Sequence, residues 1–574
     1  MRKRLASLAA LAAVAVLVPV AATDAATNDG SPNDPRAKAF VKEVSVDRVE
    51  RHQQRLQEIA TANGGTRDVF GTGYTASVDY VVRQLENAGY NPEVTPFNFP
   101  FWEETQLPVL NQVTPTAKGY VPGTEAQSDT PGVDFISMPS SPTVSLDNVP
   151  VVPVGGIQIP SPGGSESGCE ADDYPAAVAG AVALIQRGFC AFVDKWTLAQ
   201  EAGAVGVIIF NEGNTPERQN ALFINNSIPD ATAPAVISSF AVGKELYDAY
   251  QAGQNPTVDF NTFGRLTPRF FNQVIAETRG GDPDHVVVVG AHLDSVEAGP
   301  GINDDGSGTS LLLTMAQRLA RPGHPLKQKI RFGWWGAEEE GLVGSNYYAE
   351  NLSQAEVDKI DVMLDYDMLS SPNYARLVYD GDGSEGTNPA GPDGSGTVEE
   401  VFREWFASKR QPVVGIPFDG RSDYVGFTER GIPAGGVFAG AEGVKTVNEE
   451  RVFGGDAGSW YDPCYHQACD DITTVLSGVP PLDADGLAVD IPAATRTDAD
   501  RAVAAQKMRG GSRKSMIELG AGATYATWYF SSVKNPFGSG AATASIARTS
   551  ATKRAKQRGR KFHARYRGHK RLAR

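Results

Sequence analysis

Apolar runs and segments with apolar residues at helical spacing alternate along the second half of the chain, from about residue 272 onward. The strand-like runs lie at 286–293, 330–335 and 360–368, and the helical segments lie at 309–319 and 342–349. Apolar strands that bracket helices predict a mainly parallel sheet that helices cover on both faces. We therefore predict an α/β fold, with the functional residues at the carboxyl ends of the strands.

A smaller pattern of the same type lies closer to the N-terminus. A strand at 180–186, a helix at 192–202 and a strand at 206–211 follow a stretch at 112–165 that is rich in Pro, Gly, Ser and Thr. Short valine runs in that stretch predict strands and loops. Earlier still, the apolar spacing of residues 78–88 predicts a helix. The chain therefore contains a smaller, β-rich α/β unit before the larger one.

The composition is typical of a globular protein with more than one domain. The 574 residues are 41% hydrophobic and carry a net charge of −16, and one domain takes about 100–200 residues. The acidic charge argues against nucleic-acid binding, which needs clustered Lys and Arg. Residues 548–574, with twelve Lys or Arg and no acid, are the exception.

The basic tail at 540–574 has too few apolar residues to fold alone. One interpretation is that it contacts an anionic cell envelope through charge, an interaction that salt should weaken. The other is an unstructured or processed end, and the sequence leaves both open.

The first residues have the pattern of an export signal. Three basic residues at 2–4 precede an apolar run at 5–22 and small residues around a cleavage site after Ala25 or Ala26. The alternative, an uncleaved membrane anchor, would need this run to span the bilayer, although it has about the minimum length and contains Pro19. No later stretch is apolar enough to span a membrane. We therefore predict a secreted protein with a signal peptide at 1–25.

Four cysteines in an exported chain indicate two disulfides. Three pairings are possible. Cys169 and Cys190 lie in one region and Cys464 and Cys469 in another, so pairing within each region is the simplest arrangement. A cysteine-rich metal site, the alternative, needs a CxxC-type spacing that this chain lacks.

Two polar motifs follow the first of these predicted strands. His292 stands at the end of the run that begins at Val286, and Asp294, two residues on, points to the same side. A histidine with a nearby carboxylate is a common zinc ligand, and its simpler alternative is a structural hydrogen bond. The glycine-rich segment 299–308 then carries Asp304 and Asp305 without a Lys, which favours a cation over a phosphate. Its simpler alternative is a turn that caps a helix.

Two clusters of acids complete this pattern. Glu338, Glu339 and Glu340 follow an apolar strand directly, where like charges raise one another's pKa unless a cation neutralises them. The alternative is a solvated helix N-terminus, at which acids are favoured. Asp365 and Asp367 lie in the next apolar run, which indicates a buried, paired or metal-bound acid, or else an edge strand with both acids in water.

Tyr465 and His466 lie between Cys464 and Cys469, in a loop that a disulfide would hold rigidly. The alternative is a purely structural staple on a surface turn.

Two histidines and three or four carboxylates are a suitable set for two zinc ions, with one carboxylate that bridges them. A further carboxylate without a metal would take a proton from the attacking water.

Residues 286–471 resemble the secreted dinuclear-zinc aminopeptidases, which include bacterial leucyl aminopeptidases and the aminopeptidase Y group. The segments that carry the resemblance are Ala291-His292-Leu293-Asp294-Ser295, Gly299 to Gly308, Trp335-Gly336-Ala337-Glu338-Glu339 and Cys464-Tyr465-His466. The resemblance implies the zinc exopeptidase fold. It also implies an N-terminal part of the peptidase domain at 36–130, an inserted protease-associated domain at 131–260 and the zinc peptidase domain at 261–535.

The resemblance assigns roles by position. His292 and Glu339 would bind different zinc ions and Asp304 would bridge them, with Asp367 beside His292 and with His466 completing the set. Four other residues would act on the substrate or support the ligands. Glu338 would be the general base, and Tyr465 would donate a hydrogen bond to the oxyanion. Arg421 would stabilise the intermediate or position substrate, and Asp294 would orient His292. The family also often has a cis peptide after the bridging Asp. Asp365 departs from the pattern, because close relatives often have Asn there.

The activity that the resemblance implies is removal of N-terminal residues, preferentially large apolar ones, from peptides with a free N-terminus. A metal-bridging hydroxide would attack the carbonyl, with Glu338 as the base. The alternatives are a glutaminyl-cyclase or carboxypeptidase activity on the same fold, and a non-catalytic peptide- or protein-binding homologue. The sequence does not allow a structural calcium ion to be derived.

Overall fold

A computed structural model represents the protein, and it describes residues 30–161, 165–215, 218–224, 228, 231–386, 389–480, 498–533 and 536–537. The predicted signal peptide at 1–25 and the predicted basic tail at 540–574 lie outside these residues. Across the described part of the chain, none of the helices combines the length and apolar character that a membrane crossing requires.

The secondary structure follows one order along the chain. The helices are α1 (Pro35–Glu43), α2 (Val46–Ala62), α3 (Thr72–Ala88), α4 (Phe192–Glu201), α5 (Phe240–Gln251), α6 (Gly306–Leu319), α7 (Val343–Asn351), α8 (Gln354–Val357), α9 (Ser395–Ser408), α10 (Val425–Glu429), α11 (Val447–Phe453), α12 (Ile472–Ser477), α13 (Asp498–Met508) and α14 (Gly511–Ser532). The strands are β1 (Glu93–Glu104), β2 (Val109–Thr114), β3 (Lys118–Gly119), β4 (Phe135–Ser137), β5 (Val144–Pro153), β6 (Val182–Gln186), β7 (Gly206–Phe210), β8 (Ala235–Ser238), β9 (Thr257–Thr262), β10 (Gly264–Glu277), β11 (Asp282–His292), β12 (Gln328–Trp335), β13 (Ile360–Asp365), β14 (Leu377–Tyr379), β15 (Val414–Ile416) and β16 (Ala434–Phe438).

The larger sheet has the order β1-β10-β12-β11-β13-β16-β14-β15. Its centre, from β12 to β16, is parallel, and antiparallel pairs join β1, β10 and β14 to it. The predicted α/β class with a mainly parallel central sheet is therefore confirmed.

Both faces of the central strand β11 are buried. Val287 and Val289 pack in the core that includes α6 and α14, and Val286 and Val288 pack in the core that includes α7 and α10. All four valines are at most 1% exposed. This two-sided burial is the physical reason for the uninterrupted apolar run in the sequence.

The second sheet is inserted between β1 and β10. These two strands pair in antiparallel register from Glu93 opposite Ile275 to Glu104 opposite Gly264. The chain leaves the end of this ribbon, forms the sheet β3-β2-β9-β5-β6-β7-β8-β4, and returns. The strands and helix predicted at 180–186, 206–211 and 192–202 correspond to β6, β7 and α4.

The inserted unit begins earlier than the predicted start at residue 131. Strand β2 pairs with β9 from Val109 opposite Asn261, so the predicted N-terminal part at 36–130 includes strands of the second sheet. The sequence pattern misses this boundary because the partner of β2 lies far along the chain.

Two predicted boundaries in the larger unit also shift. Helix α6 begins at Gly306 rather than 309, because the Asp305 side chain accepts a hydrogen bond from the Gly308 backbone at 2.7 Å and caps the helix. The run predicted as a strand at 360–368 leaves the sheet after Asp365, and Met368 has a φ of +52°. Asp367 therefore lies just beyond the carboxyl end of β13.

Candidate metal centre

The predicted ligands come from the carboxyl edge of the central parallel strands. His292 is the last residue of β11, Glu339 follows β12, and Asp367 follows β13. Asp304 precedes α6, and His466 lies in the loop that Cys464 and Cys469 close. Because carboxyl ends of parallel strands meet at one edge, five residues distant in sequence become neighbours.

The first group of ligand atoms surrounds His292. Its Nε2 lies 3.0 Å from Asp304 Oδ1 and 3.7 Å from Asp367 Oδ1. These three ligand atoms all lie within 4.8 Å of one another. The His292 ring is 1% exposed, so its interactions take place out of bulk water.

The second group shares Asp304 with the first. His466 Nε2 lies 3.1 Å from Glu339 Oε2 and 3.4 Å from Asp304 Oδ2. Asp304 therefore offers one oxygen to each group, which is the geometry that a bridging carboxylate needs. The peptide bond between Asp304 and Asp305 is cis.

Asp294 supports this arrangement from behind. Its Oδ1 lies 3.7 Å from His292 Nδ1, on the side of the ring that is remote from the ligand atoms. The same carboxylate accepts hydrogen bonds of 3.2 Å from the backbone N–H groups of Glu338 and Glu339. Asp294 thus joins the end of β11 to the loop after β12, and orients two of the predicted ligands.

Glu338 lies beside the two groups without belonging to either. Its Oε2 is 3.9 Å from His292 Nε2, and its side chain is 11% exposed. Burial raises the pKa of Glu338 well above its usual value, and the nearby acids Asp423, Glu339 and Asp367 raise it further. A carboxyl group with a raised pKa beside a possible reaction centre is suited to proton transfer.

The disulfide loop is fastened to the loop that carries Asp304. The disulfides Cys169–Cys190 and Cys464–Cys469 are both present. Asp470, directly after Cys469, accepts hydrogen bonds from the backbone N–H groups of Asn303 and Asp304 at 2.7 and 2.9 Å. The loop therefore holds His466 at a fixed place relative to Asp304.

Tyr465 and Arg421 meet at the mouth of the site. The Tyr465 ring stacks on His466, with 3.8 Å between the ring centroids. Arg421 Nη2 donates to the Tyr465 hydroxyl group at 3.2 Å. The structure thus places the predicted oxyanion donor next to the second ligand group, and it places Arg421 against that donor.

Burial and hydrogen bonds shift the titration of the ligands in opposite directions. Burial raises the pKa of Glu339 to about 7, with a further contribution from the charge of Asp304. Burial disfavours the charged form of His466, but Asp304 and Glu339 outweigh this effect and raise its pKa to about 10. Hydrogen bonds to both histidines outweigh burial at Asp304 and lower its pKa. The buried acids here need positive charge nearby.

The same atoms fit a metal ion. Glu339 Oε1 and Asp367 Oδ1 are buried, and neither has a hydrogen-bond partner within the described residues. Buried carboxylate oxygens without a partner are costly, and a coordinated cation would remove that cost. Imidazole nitrogens together with carboxylate oxygens are a donor set that suits zinc.

Asp365, which departs from the family pattern, lies behind this site. It is fully buried, and burial together with the charge of Asp367 raises its pKa to about 7. Ser422 donates a hydrogen bond of 2.9 Å to Asp367 Oδ2. Asp365 therefore adds acidic character to the surroundings of Asp367 without contributing to either ligand group.

A third group of acids, Asp380, Asp382 and Glu399, lies apart from the centre. Backbone N–H groups of residues 381–385 donate to all three carboxylates, and Arg403 pairs with Glu399. These hydrogen bonds explain the acids without an ion, so we assign no calcium site here.

Sequence reasoning missed Arg67. This residue is fully buried, and its guanidinium donates to the backbone carbonyls of Leu293, Pro300 and Gly301. Its backbone N–H also donates to Ser295 Oγ at 2.9 Å. Arg67 thus holds the loop between His292 and Asp304. The position of Asp470 directly after Cys469 could have indicated its role in holding the disulfide loop. The role of Arg67 has no such signal, because its partners are backbone carbonyls, which every residue has.

Replacing Arg67 by Met should destabilise the fold strongly. We expect the free energy of unfolding to fall by about 3 kcal/mol or more, because each buried carbonyl left without a donor costs about 1–3 kcal/mol. Urea unfolding of the purified variant measures this effect. The control is Arg55→Met, which removes an exposed ion pair with Glu58 and should cost less than about 1 kcal/mol. Equal losses for both variants would contradict the role of Arg67.

Comparison with protein families gives two matches. The sequence profile of peptidase family M28 matches residues 273–479, and that of the PA domain matches residues 148–246. The first range contains both ligand groups and Glu338. The second lies within the inserted sheet.

Aminopeptidases from two organisms are similar in sequence to most of the chain. An aminopeptidase of Pseudomonas aeruginosa is 40% identical over 447 residues, which are 78% of this chain and 80% of that protein. Leucine aminopeptidase 2 of Arthroderma otae is 36% identical over 436 residues, which are 76% of this chain and 81% of that protein. The similarity therefore extends beyond the M28 match into the inserted unit.

Solved structures share the fold. An aminopeptidase from Aneurinibacillus sp. strain AM-1 superposes with a TM-score of 0.58 at 22% identity, over 87% of this chain and 97% of that chain. The zinc aminopeptidase BSAP from Bacillus subtilis gives a TM-score of 0.52 at 20% identity, over 85% of this chain and 96% of that chain. At these identities, the likeness is one of fold.

Proposed function

Because the chain belongs to peptidase family M28 and carries an inserted PA domain, we propose that it is a secreted, zinc-dependent aminopeptidase with two zinc ions. Peptides with a free N-terminus would be its substrates, with a preference for large apolar N-terminal residues. Its aminopeptidase relatives support the reaction class. The observation that carries the proposal is the position of Asp304 between two histidine–carboxylate groups, with Glu338 outside both.

In this proposal, His292, Asp304 and Asp367 hold one ion, and His466, Glu339 and Asp304 hold the other. When bound, the ions would polarise the peptide carbonyl and lower the pKa of a bound water molecule. All five ligands are present, which favours an enzyme over a non-catalytic binding homologue.

The side chains of this chain would move protons and bind charge. Glu338 takes a proton from the attacking water and passes it to the departing amine, since it lies beside the ligands with a raised pKa. Tyr465 donates a hydrogen bond to the oxygen of the tetrahedral intermediate. Acidic groups beside the two ions would bind the α-ammonium group of the substrate, which restricts cleavage to the N-terminal residue.

The place of action is the cell exterior in this proposal. The export signal predicted at 1–25 would direct the chain out of the cell, and the two disulfides are typical of proteins in an oxidising compartment. The basic tail at 540–574 would contact an anionic cell envelope through charge, which salt would weaken. Nucleic acid is not a partner in this proposal, because the rest of the chain is acidic.

A substrate profile on the purified full chain tests the proposed function. We expect hydrolysis of leucine p-nitroanilide, slower hydrolysis of the glycine derivative, and loss of both activities with a chelator and their return with zinc. N-acetylated leucine p-nitroanilide should not be cleaved, because its α-amino group is blocked. Cleavage of the blocked reporter at the same rate, or cyclisation of N-terminal glutamine in place of hydrolysis, would overturn the proposal.

A further inference from the structure

Three loops bring Arg421, Glu442 and Tyr465 together at the mouth of the site. Arg421 Nη1 lies 2.8 Å from Glu442 Oε1, and Nη2 lies 3.2 Å from Glu442 Oε2. Nη2 also lies 3.2 Å from the Tyr465 hydroxyl oxygen. Glu442 therefore binds the guanidinium through two contacts, and Nη2 also contacts the Tyr465 hydroxyl group.

The backbone fixes the distances between these loops. Ala441 and Gly443, on both sides of Glu442, accept hydrogen bonds of 2.9 Å from the backbone N–H groups of Asp462 and Tyr461. The segment 461–462 leads directly into the disulfide loop with Tyr465. These hydrogen bonds hold Glu442 at a fixed place relative to the disulfide loop, which carries Tyr465.

The Arg421 side chain needs such an anchor. It is 53% exposed and Glu442 is 40% exposed, so neither is held by burial alone. A long exposed side chain loses rotamer entropy when it is fixed, and planar two-point contacts with a carboxylate offset this loss in part. Without Glu442, the guanidinium would spend much of its time away from Tyr465.

The contact with Arg421 has a chemical consequence for Tyr465. The phenol oxygen accepts an N–H from Arg421, which leaves the hydroxyl proton available for another acceptor. A phenol beside a cation is a stronger hydrogen-bond donor.

We propose that Glu442 is a positioning residue that acts through Arg421 on Tyr465. It keeps the guanidinium at the phenol oxygen, so that the Tyr465 O–H is directed at the oxygen that gains negative charge when the peptide carbonyl is attacked. This inference rests on the proposed function. In this role Glu442 acts through Arg421 alone, and its effect should therefore appear in kcat and disappear when the Tyr465 hydroxyl group is absent.

Glu442→Ala tests the inference, with leucine p-nitroanilide as substrate. We expect kcat to fall about tenfold and KM to change less than twofold, since removal of the oxyanion donor itself costs about 10²–10³-fold. Glu442→Gln keeps one acceptor for the guanidinium, so its kcat should lie between those of Glu442→Ala and the wild type. The control is Glu103→Ala, which removes an ion pair of similar exposure with Arg265 and should leave kcat unchanged.

A double-mutant cycle separates positioning from simple loss of structure. In a Tyr465→Phe background, Glu442→Ala should cause no further loss of kcat, because the hydroxyl group on which it acts is gone. An unchanged kcat in Glu442→Ala, or an equal loss with and without Tyr465, would overturn the inference and leave the proposed function intact. A wild-type chain that hydrolyses no aminoacyl reporter would overturn both.

Discussion

Replacing Glu338 by Gln should lower kcat by about 10²–10⁴-fold, the usual cost of losing a general base. The reason is positional, since the Glu338 carboxylate lies 3.9 Å from His292 Nε2 but outside both ligand groups. Its loss should therefore remove proton transfer and leave the metal ions in place. Steady-state kinetics on leucine p-nitroanilide, together with the zinc content of the same preparation, measure the two effects.

The neighbouring acid provides the matched control for this variant. Glu340 lies in the same loop, is half-buried and belongs to neither ligand group, so Glu340→Gln, which keeps the size of the side chain, should change kcat less than about threefold. Activity of Glu338→Gln within a few-fold of the wild type, with zinc retained, would reject Glu338 as the base. Loss of zinc together with activity would show that Glu338 is a ligand.

Replacing Asp304 by Asn should have the second large effect. Asp304 offers one oxygen to each ligand group, and an amide in its place removes a negative charge that both groups share. We expect the loss of at least one zinc equivalent per chain. Activity should fall by about 10³-fold or more, because metal ions contribute several kcal/mol of transition-state stabilisation.

Asp471→Asn is the control for the bridging position. Asp471 caps α12 by accepting a hydrogen bond from the Thr474 backbone at 2.8 Å, and Asn caps helices about as well. This variant should keep its zinc and its activity. If Asp304→Asn also kept full zinc content, the shared-carboxylate arrangement would be wrong.

The sequence pattern predicted the centre of the fold because local signals and tertiary position coincide there. Val286 to Val289 form an uninterrupted apolar run, since both faces of β11 are buried. His292 and Asp367 each come at or just after the end of such a run. Once the strands are parallel, their carboxyl ends share one edge, and the candidate ligands must lie close together.

Other features depend on partners that no local pattern reveals. The inserted sheet begins at β2 because this strand pairs with β9, and nothing around Val109 indicates that register. Arg67 donates to backbone carbonyls, which every residue type presents equally. The Glu442–Arg421 ion pair joins two loops whose proximity only the folded chain creates.

The most direct test of the account is anomalous diffraction from crystals of the purified protein at the zinc absorption edge. We expect two peaks about 3.5–4 Å apart, one beside His292 and Asp367 and the other beside His466 and Glu339, with Asp304 between them. A single peak, peaks elsewhere in the molecule, or an active enzyme without a peak at these residues would contradict it.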